Sequence, residues 1–109
     1  MSKASYKAPA PSHPHLSEWL RQLREESGLP LREVADACEM DLALLHKCEL
    51  GQRIPTEEQT SRLAKFFKVA ESDVMALRIA EKMRHDFSDH PAMKQAVQIL
   101  AAEHGIYKT

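Results

Sequence analysis

Cationic side chains recur in residues 31–53, a segment that reads LREVADACEMDLALLHKCELGQR. Arg32 lies near its start, Lys47 lies in its second half and Arg53 ends it. A guanidinium or ammonium group can bind a phosphate oxygen, and it can also donate to the O6 and N7 atoms of guanine. These residue types therefore favour binding of a polyanion such as a nucleic acid over catalysis.

The same segment predicts two short helices, the second and third of the chain, joined by a turn. The spacing of apolar residues predicts that helix 2 ends near Cys38. A turn over residues 39–41 follows, and helix 3 then covers residues 42–50. Asp41 is a suitable N-cap for helix 3, because its carboxylate can accept a hydrogen bond from a free backbone N–H group. Gly51 is a natural end for that helix.

Helix 3 is predicted to have an inner and an outer side. Leu45 and Cys48 point inward, which places Ala43 and Lys47, one helical turn apart, on the outer side. The apolar positions predicted to point outward are Leu42, Ala43 and Leu44, and the neighbours that flank Ala43 and Lys47 are Leu42 and His46. Because apolar side chains that are exposed together mark an interaction site, this side predicts a contact with either DNA bases or another protein.

Neighbouring helices are expected to hold this pair in place. Trp19 lies in an apolar stripe that predicts helix 1, which begins between residues 14 and 17 and ends near Ser27. Trp19 is predicted to be a core residue, and Gly28 is predicted to end the helix in a left-handed conformation. Pro30 is predicted as the first residue of helix 2. The start of helix 4 is marked by a capping box, formed by Thr56 and Gln59.

The remaining chain predicts two further helices, so the expected class is all-α. Helix 5 begins at residues 71–73 and fades near Phe87, and a final helix covers residues 89–104 with Asp89 as its cap. The final helix has an apolar stripe that the domain or a second subunit must cover. Its members are Met93, Ala96, Val97 and Leu100.

The composition limits the functions that such a chain can have. The 109 residues suit one domain with tails, and the net charge is −1. Residues 16–87 hold 11 basic and 14 acidic side chains, so any DNA-binding surface must be a local basic patch. Residues 1–14 predict a flexible arm, which is either a plain tail or a basic arm that touches DNA. The six histidines are scattered and no phosphate-binding glycine loop occurs, so no catalysis, cofactor or metal is expected.

Two cysteines and the hydropathy pattern bear on the environment of the protein. Cys38 and Cys48 occupy positions that are predicted to be buried, which favours core packing over a disulfide or a redox switch.

No signal peptide opens the chain, and no apolar run approaches the ~20 residues that a membrane helix needs. A cytoplasmic protein without a membrane partner is therefore expected.

Four motifs follow one another along the chain. They are GLPLREVA at residues 28–35, MD at residues 40–41, LHKCELGQRIP at residues 45–55 and LAKFF at residues 63–67. In this order they resemble the XRE/Cro/C1 (lambda repressor-like) family of helix-turn-helix transcriptional regulators. The resemblance covers roughly residues 16–85. It implies a five-helix DNA-binding domain, here over residues 15–87, with an added C-terminal helix in residues 88–109.

The resemblance also implies roles for individual side chains. The positions that would face DNA bases are Leu42, Ala43 and Lys47, and those nearer the DNA backbone are Arg32, Leu44, His46 and Arg53. Glu49 fits the family pattern and is interpreted as a structural acid that ties the end of helix 3 to the rest of the fold. Glu39 stands where the family usually has glycine, a position that often adopts a positive φ angle.

Two functions are carried forward from the sequence. The first is a sequence-specific regulator, a repressor, that binds double-stranded DNA as a homodimer with helix 3 in the major groove. Helix 5 and the final helix are expected to build the dimer. The alternative is the same fold used as a protein-interaction module, with a partner bound by Leu42, Ala43 and Leu44. The sequence identifies no small-molecule effector.

Overall fold

The computed structural model describes residues 15–106, and within this range the chain forms six α-helices and no strand. The helices are α1 (Leu16–Ser27), α2 (Leu31–Ala37), α3 (Leu42–Glu49), α4 (Glu57–Phe67), α5 (Glu71–Phe87) and α6 (Met93–Glu103). The predicted all-α class is confirmed. The predicted arm of residues 1–14 lies outside the described residues. None of the helices in the described range is long and apolar enough to cross a membrane.

Side-chain caps determine where α3 and α4 begin. The Thr56 hydroxyl accepts the N–H of Gln59 at 3.1 Å, and the Gln59 side-chain oxygen accepts the N–H of Thr56 at 2.9 Å. This reciprocal pair is the predicted capping box at the start of α4. At the start of α3, the Asp41 carboxylate accepts the N–H of Leu44 at 3.2 Å, as predicted.

The junction between α1 and α2 is set by a glycine and a proline. Gly28 ends α1 with a φ angle of 69°, a left-handed conformation that a residue without Cβ adopts at little cost. Pro30 is the extended N-cap of α2, so the prediction that it is the first helical residue is wrong by one position. Its carbonyl accepts the N–H groups of Glu33 and Val34 at 3.1 and 3.4 Å, which starts the helix at Leu31.

A single hydrophobic core holds the first five helices together. Trp19 is only 2% exposed and is a core residue, as predicted. The other buried members are Leu16, Leu20, Leu23, Val34, Ala35, Cys38, Met40, Leu45, Cys48, Leu63, Ala64, Val74 and Leu77. Full burial of one large aliphatic side chain contributes about 1.5–3 kcal/mol, so this cluster is the main stabilising term of the fold. It packs α1 against α3 and α5, α2 against α3, and α4 against α5.

The turn between α2 and α3 contains a residue in an unfavourable conformation. Glu39 has a φ angle of 55°, in the left-handed region that glycine tolerates far better than other residues. Its N–H group donates to the carbonyl of Asp36 at 3.2 Å, and the N–H group of Met40 donates to the carbonyl of Ala35 at 2.8 Å. The turn therefore adopts the positive φ angle expected at this position, although a glutamate occupies it.

The final helix begins later than predicted. α6 covers Met93–Glu103 and its N-cap is Ala92, without a side-chain hydrogen bond, so the prediction of a helix capped by Asp89 is wrong. Pro91 explains the delay, because the residue before a proline is driven out of the helical conformation. His90 closes the resulting turn, since its Nδ1 atom accepts the N–H of Ala92 at 3.1 Å.

Candidate nucleic-acid interface

α3 has one buried face and one exposed face. Leu45, Cys48 and Glu49 are buried. The exposed residues are Ala43, His46, Lys47 and the C-cap Leu50. At about 100° of rotation per residue, these four positions lie on one side of the helix, opposite the buried ones. The exposed face therefore presents a methyl group, an imidazole, an ammonium group and a leucine side chain together.

Leu42 and Leu44 lie at the two borders of this exposed face. Both are half-buried and pack against the core. The prediction that they point outward together with Ala43 is therefore correct only for Ala43. Because burying apolar area lowers the free energy of the folded state, the two leucines lean onto the core on either side of the helix. The apolar part of the exposed face is consequently smaller than the sequence alone indicates.

Glu49 is bound by an arginine from α1. Arg24 donates from Nε and Nη2 to the two carboxylate oxygens of Glu49, at 2.7 and 3.0 Å, and its Nη1 atom donates to the carbonyl of Leu29 at 3.0 Å. Hydrogen bonding to Glu49 raises the pKa of Arg24 above its ordinary value, against the opposing effect of burial. The bidentate pair fixes the end of α3 to the α1–α2 junction. The interpretation of Glu49 as a structural acid is confirmed.

This ion pair also changes the charge that α3 presents to solvent. Glu49 is the one acidic residue within α3, and its side chain is only 6% exposed. With that carboxylate buried and compensated, Lys47 is the one formal charge on the exposed face. Asp41 precedes the helix, where its carboxylate caps the positive end of the helix dipole. A polyanion approaching the exposed face therefore meets Lys47 without a competing carboxylate from α3 itself.

The two other predicted cations lie outside α3. Arg32 is exposed in the first turn of α2, and Arg53 is exposed in the loop that follows α3. That loop is held at both ends, because the carbonyl of Lys47 accepts the N–H of Arg53 at 3.4 Å and the Nε atom of Arg78 donates to the carbonyl of Pro55 at 2.8 Å. The three cations thus stand on elements that the core and these hydrogen bonds hold in place.

Both cysteines are packed in the core. Cys38 and Cys48 are free and buried. Burial raises the pKa of the Cys48 thiol to about 11, and burial likewise raises the pKa of Cys38. Because the thiolate is the reactive form of cysteine, two buried thiols that resist deprotonation favour a packing role. The core-packing interpretation is therefore supported over a redox switch.

Sequence reasoning missed two residues of this region. Arg24 lies 25 positions from Glu49, and no local pattern links the two. Leu50 is 50% exposed at the end of α3. A helical wheel could have found it, because it lies three and four positions after Lys47 and His46 on the same side.

Comparison with known proteins identifies the family of the chain. A family model described as a helix-turn-helix domain matches residues 15–77. That range contains α1 to α4 and the first part of α5, including the α2–α3 pair and the cations on and around it. No match was found among the curated proteins or the solved structures that were compared. The matched range agrees with the resemblance to XRE-like regulators, and the chain belongs to the helix-turn-helix domain family.

Proposed function

We propose that this protein is a sequence-specific DNA-binding transcriptional regulator, a repressor that acts as a homodimer with α3 in the major groove. Membership of the helix-turn-helix domain family supports DNA binding in general. The observation that carries the specific proposal is the exposed face of α3. There Lys47 is accessible beside Ala43, while the only acid of the helix is buried against Arg24.

The exposed face of α3 fits the dimensions and the chemistry of a major groove. An α-helix with its side chains is about 10–12 Å across, and the groove is about 12 Å wide. In the proposed complex Lys47 donates to O6 and N7 of guanine. Ala43 and the exposed part of Leu42 pack against thymine methyl groups. This arrangement relies on one charged donor and on methyl contacts more than on a dense set of hydrogen bonds.

The flanking residues are assigned to the DNA backbone. Arg32 on α2 and Arg53 in the loop after α3 would bind phosphates on either side of the groove, and the half-buried Leu44 and the exposed His46 would lie against the sugar–phosphate chain. Such contacts set the register of the protein on the duplex and carry no sequence information.

The alternative of a protein-interaction module has weaker support. It depends on an apolar surface made by Leu42, Ala43 and Leu44, yet the two leucines are half-buried against the core.

We also propose that residues 15–87 form the DNA-binding unit, that residues 88–109 serve dimerisation, and that the protein acts in the cytoplasm.

Binding of duplex DNA as a function of salt tests the proposal. Fluorescence anisotropy of a labelled random duplex should show affinity that falls between ~50 and ~200 mM salt, with a log–log slope near −0.9 per phosphate contact. The Arg32→Ala variant should bind more weakly to all sequences and reduce the slope by about 1. Lys94→Ala, which removes an exposed cation of α6, is the matched control and should behave as wild type. Absence of binding at ~50 mM salt would contradict the proposal.

Selection from a random duplex pool tests the homodimer and the recognition helix. The selected sequences should contain two inverted half-sites whose centres lie about 10–10.5 base pairs apart, because that spacing presents both grooves on one side of the duplex. A single unrepeated half-site would count against the homodimer while leaving DNA binding intact.

A further inference from the structure

A small polar cleft lies between the loop that follows α3 and the second half of α5. Its volume is about 230 Å³, and it is lined by Gly51, Gln52, Arg53, Ile54, Glu81 and His85. At roughly 30 Å³ for each water-sized group, this space takes about eight such groups. The cleft is therefore smaller than the pockets that hold drug-sized ligands and suits a compact polar molecule. Among its residues only Arg53 has a part in the proposed DNA complex.

The loop side of this cleft is held in one shape. The carbonyl of Lys47 accepts the N–H groups of Gln52 and Arg53 at 2.9 and 3.4 Å. Gly51 has a φ angle of 79° and lies against α1, because a Cβ atom at this position would be 3.4 Å from the Oγ atom of Ser17. The side chains of the loop thus extend from a fixed backbone, which lowers the entropy cost of binding a ligand.

Arg53 brings a positive charge to the cleft. Its side chain is exposed, and none of the ion pairs within residues 15–106 includes it. A guanidinium group can donate two parallel hydrogen bonds to one oxyanion. Gln52 and His85 line the same cleft and each can donate a further N–H group. This side of the cleft therefore favours a ligand with anionic oxygens.

Glu81 brings an acceptor to the opposite side of the cleft. Arg84 donates from Nη2 to its Oε1 atom at 2.7 Å, and the Nδ1 atom of His15 lies 3.8 Å from the same oxygen. The pair with Arg84 balances the charge of the carboxylate, so Glu81 does not cancel the charge of Arg53. A carboxylate offers roughly four acceptor sites, more than these contacts use. A ligand that fits both sides must therefore donate a hydrogen bond as well as bring anionic oxygens.

We propose that this cleft binds a small oxyanion that also carries a hydroxyl group, such as hydrogen phosphate or a hydroxy acid, and that the bound anion excludes DNA from Arg53. The anionic oxygens are bound by Arg53, with Gln52 and His85 as further donors, and the hydroxyl group donates to Glu81. A DNA phosphodiester has no O–H group, so the cleft favours the small anion over the DNA backbone.

This ligand is an effector that weakens DNA binding, because it occupies the donors of Arg53 and neutralises the charge of that side chain. The competition rests on the proposed function, in which Arg53 binds a DNA phosphate. The site itself rests on the residues that line the cleft and on their charges.

Titration of the full chain with inorganic phosphate and with sulfate tests the site, at about pH 7 and a constant ionic strength of ~100 mM. Hydrogen phosphate has both anionic oxygens and an O–H group, whereas sulfate has no hydrogen to donate. In two-dimensional ¹H–¹⁵N NMR spectra, the backbone amide signals of residues 51–53 should shift saturably with phosphate. Sulfate should bind at least about 10-fold more weakly, because it leaves the Glu81 carboxylate facing an anionic oxygen.

Variants on the two sides of the cleft assign the contacts. Arg53→Ala should raise the phosphate dissociation constant by about 10-fold or more. Arg21→Ala removes an exposed arginine of α1 that does not line the cleft and is the matched control. Glu81→Gln should abolish the preference for phosphate over sulfate, because an amide can donate as well as accept. Trp19 is in the core, so its emission reports whether each variant is folded.

Three outcomes would overturn the inference. The first is the absence of a saturable shift with up to ~50 mM phosphate. The second is equal binding of phosphate and sulfate by wild type, and the third is equal binding of phosphate by Arg53→Ala and wild type. Each of the last two would identify an adventitious ion only. Because Arg53 is exposed, its replacement tests the site without a risk to the fold.

Fluorescence anisotropy with labelled duplex DNA connects the cleft to the proposed function. At constant ionic strength, phosphate should weaken DNA binding by wild type in step with occupancy of the cleft, and this effect should be lost in Arg53→Ala. If phosphate occupies the cleft and DNA affinity does not change, the competition for Arg53 is refuted. DNA binding without phosphate binding would refute the cleft and leave the proposed function standing. Phosphate binding by a protein that binds no DNA would do the reverse.

Discussion

α3 and α6 are both short helices, yet they are held in different ways. α3 has 8 residues, three of them buried, with a side-chain cap at its start and an ion pair at its end. α6 has 11 residues, none of them buried, and lacks a side-chain cap. The shorter helix is thus the better fixed of the two. Length and apolar periodicity therefore indicate that a helix can form, whereas tertiary burial determines whether it is held in place.

The difference bears on the proposed function, in which α3 must present its side chains to DNA in a fixed geometry. On α3, one face supplies the burial and the opposite face is left free for a ligand. On α6, the apolar stripe itself is exposed. Substitutions that weaken the attachment of α3, or that alter one helix without the other, test this distinction.

The largest expected effect comes from removing the Arg24–Glu49 ion pair that fixes the end of α3. Arg24→Ala leaves the Glu49 carboxylate nearly buried and unpaired, so the free energy of unfolding should fall by about 3 kcal/mol. Urea unfolding followed by Trp19 fluorescence measures this loss. Arg21→Ala, which removes an exposed arginine from the same helix, should change it by no more than about 0.5 kcal/mol. If Arg24→Ala lowers the free energy of unfolding by less than about 1 kcal/mol, the Arg24–Glu49 ion pair does not hold α3 in place.

The next effect compares one exposed lysine on each helix. Lys47→Ala should weaken binding to the selected operator by about 1–3 kcal/mol and change the preferred base at one position of each half-site, because it removes a donor to guanine. Lys94→Ala on α6 should leave both affinity and preference unchanged. Anisotropy titrations on single-base operator variants measure both quantities. Equal behaviour of the two variants would remove the basis for placing α3 in the groove.

A smaller effect is expected from the thiol on the buried face of α3. Burial raises the pKa of Cys48 in the folded state to about 11 from an ordinary value of 9.0. Between these values the unfolded chain loses the thiol proton first, so stability falls as the pH rises from about 9 to about 11. At about 1.4 kcal/mol per pKa unit the full difference is about 2.8 kcal/mol, of which roughly 2 kcal/mol should be lost between pH 9 and pH 11 because each titration is half complete at its own pKa.

Urea unfolding at several pH values in this window measures the loss. Cys48→Val keeps a small apolar side chain without a titrating group. The free energy of unfolding of this variant should therefore lack the part of the pH-dependent loss that the Cys48 thiol causes in wild type. Parallel curves for wild type and variant would show that the thiol does not contribute.

The smallest effect concerns the turn that leads into α3. Glu39→Gly relieves an unfavourable left-handed conformation that costs about 1–2 kcal/mol, against the extra flexibility of glycine in the unfolded chain of about 0.5–1 kcal/mol. The variant should therefore be more stable by about 0.5–1 kcal/mol in thermal unfolding. Glu33→Gly makes the same change inside α2, where it should cost about 1 kcal/mol. A destabilised Glu39→Gly would indicate that the glutamate side chain is needed in the turn.

Features that depend on neighbouring residues could be predicted from the sequence. The capping box of Thr56 and Gln59, the Asp41 cap and the left-handed Gly28 all follow from interactions within four positions along the chain. The core position of Trp19 follows from helical spacing in the same way. These predictions are confirmed because local hydrogen bonding and periodicity are sufficient to specify them.

Features that depend on distant residues could not be predicted in this way. The partner of Glu49 lies on another helix, and the half-burial of Leu42 and Leu44 depends on how far α3 sinks into the core. The delayed start of α6 differs from these, because the restriction that Pro91 places on His90 is local and can be derived from the sequence. The base-facing and backbone-facing roles stay predictions.

The separation of the two faces of α3 has a consequence for how binding preference can change. Ala43, His46, Lys47 and Leu50 are exposed and lie outside the core cluster, while the residues that hold the helix lie on its other side. Surface substitutions away from structural contacts usually change stability by no more than about 0.5 kcal/mol. Mutation can therefore vary these four positions at little thermodynamic cost. Under the proposed function, a few codon changes at these positions would be enough to give the same scaffold a new operator preference.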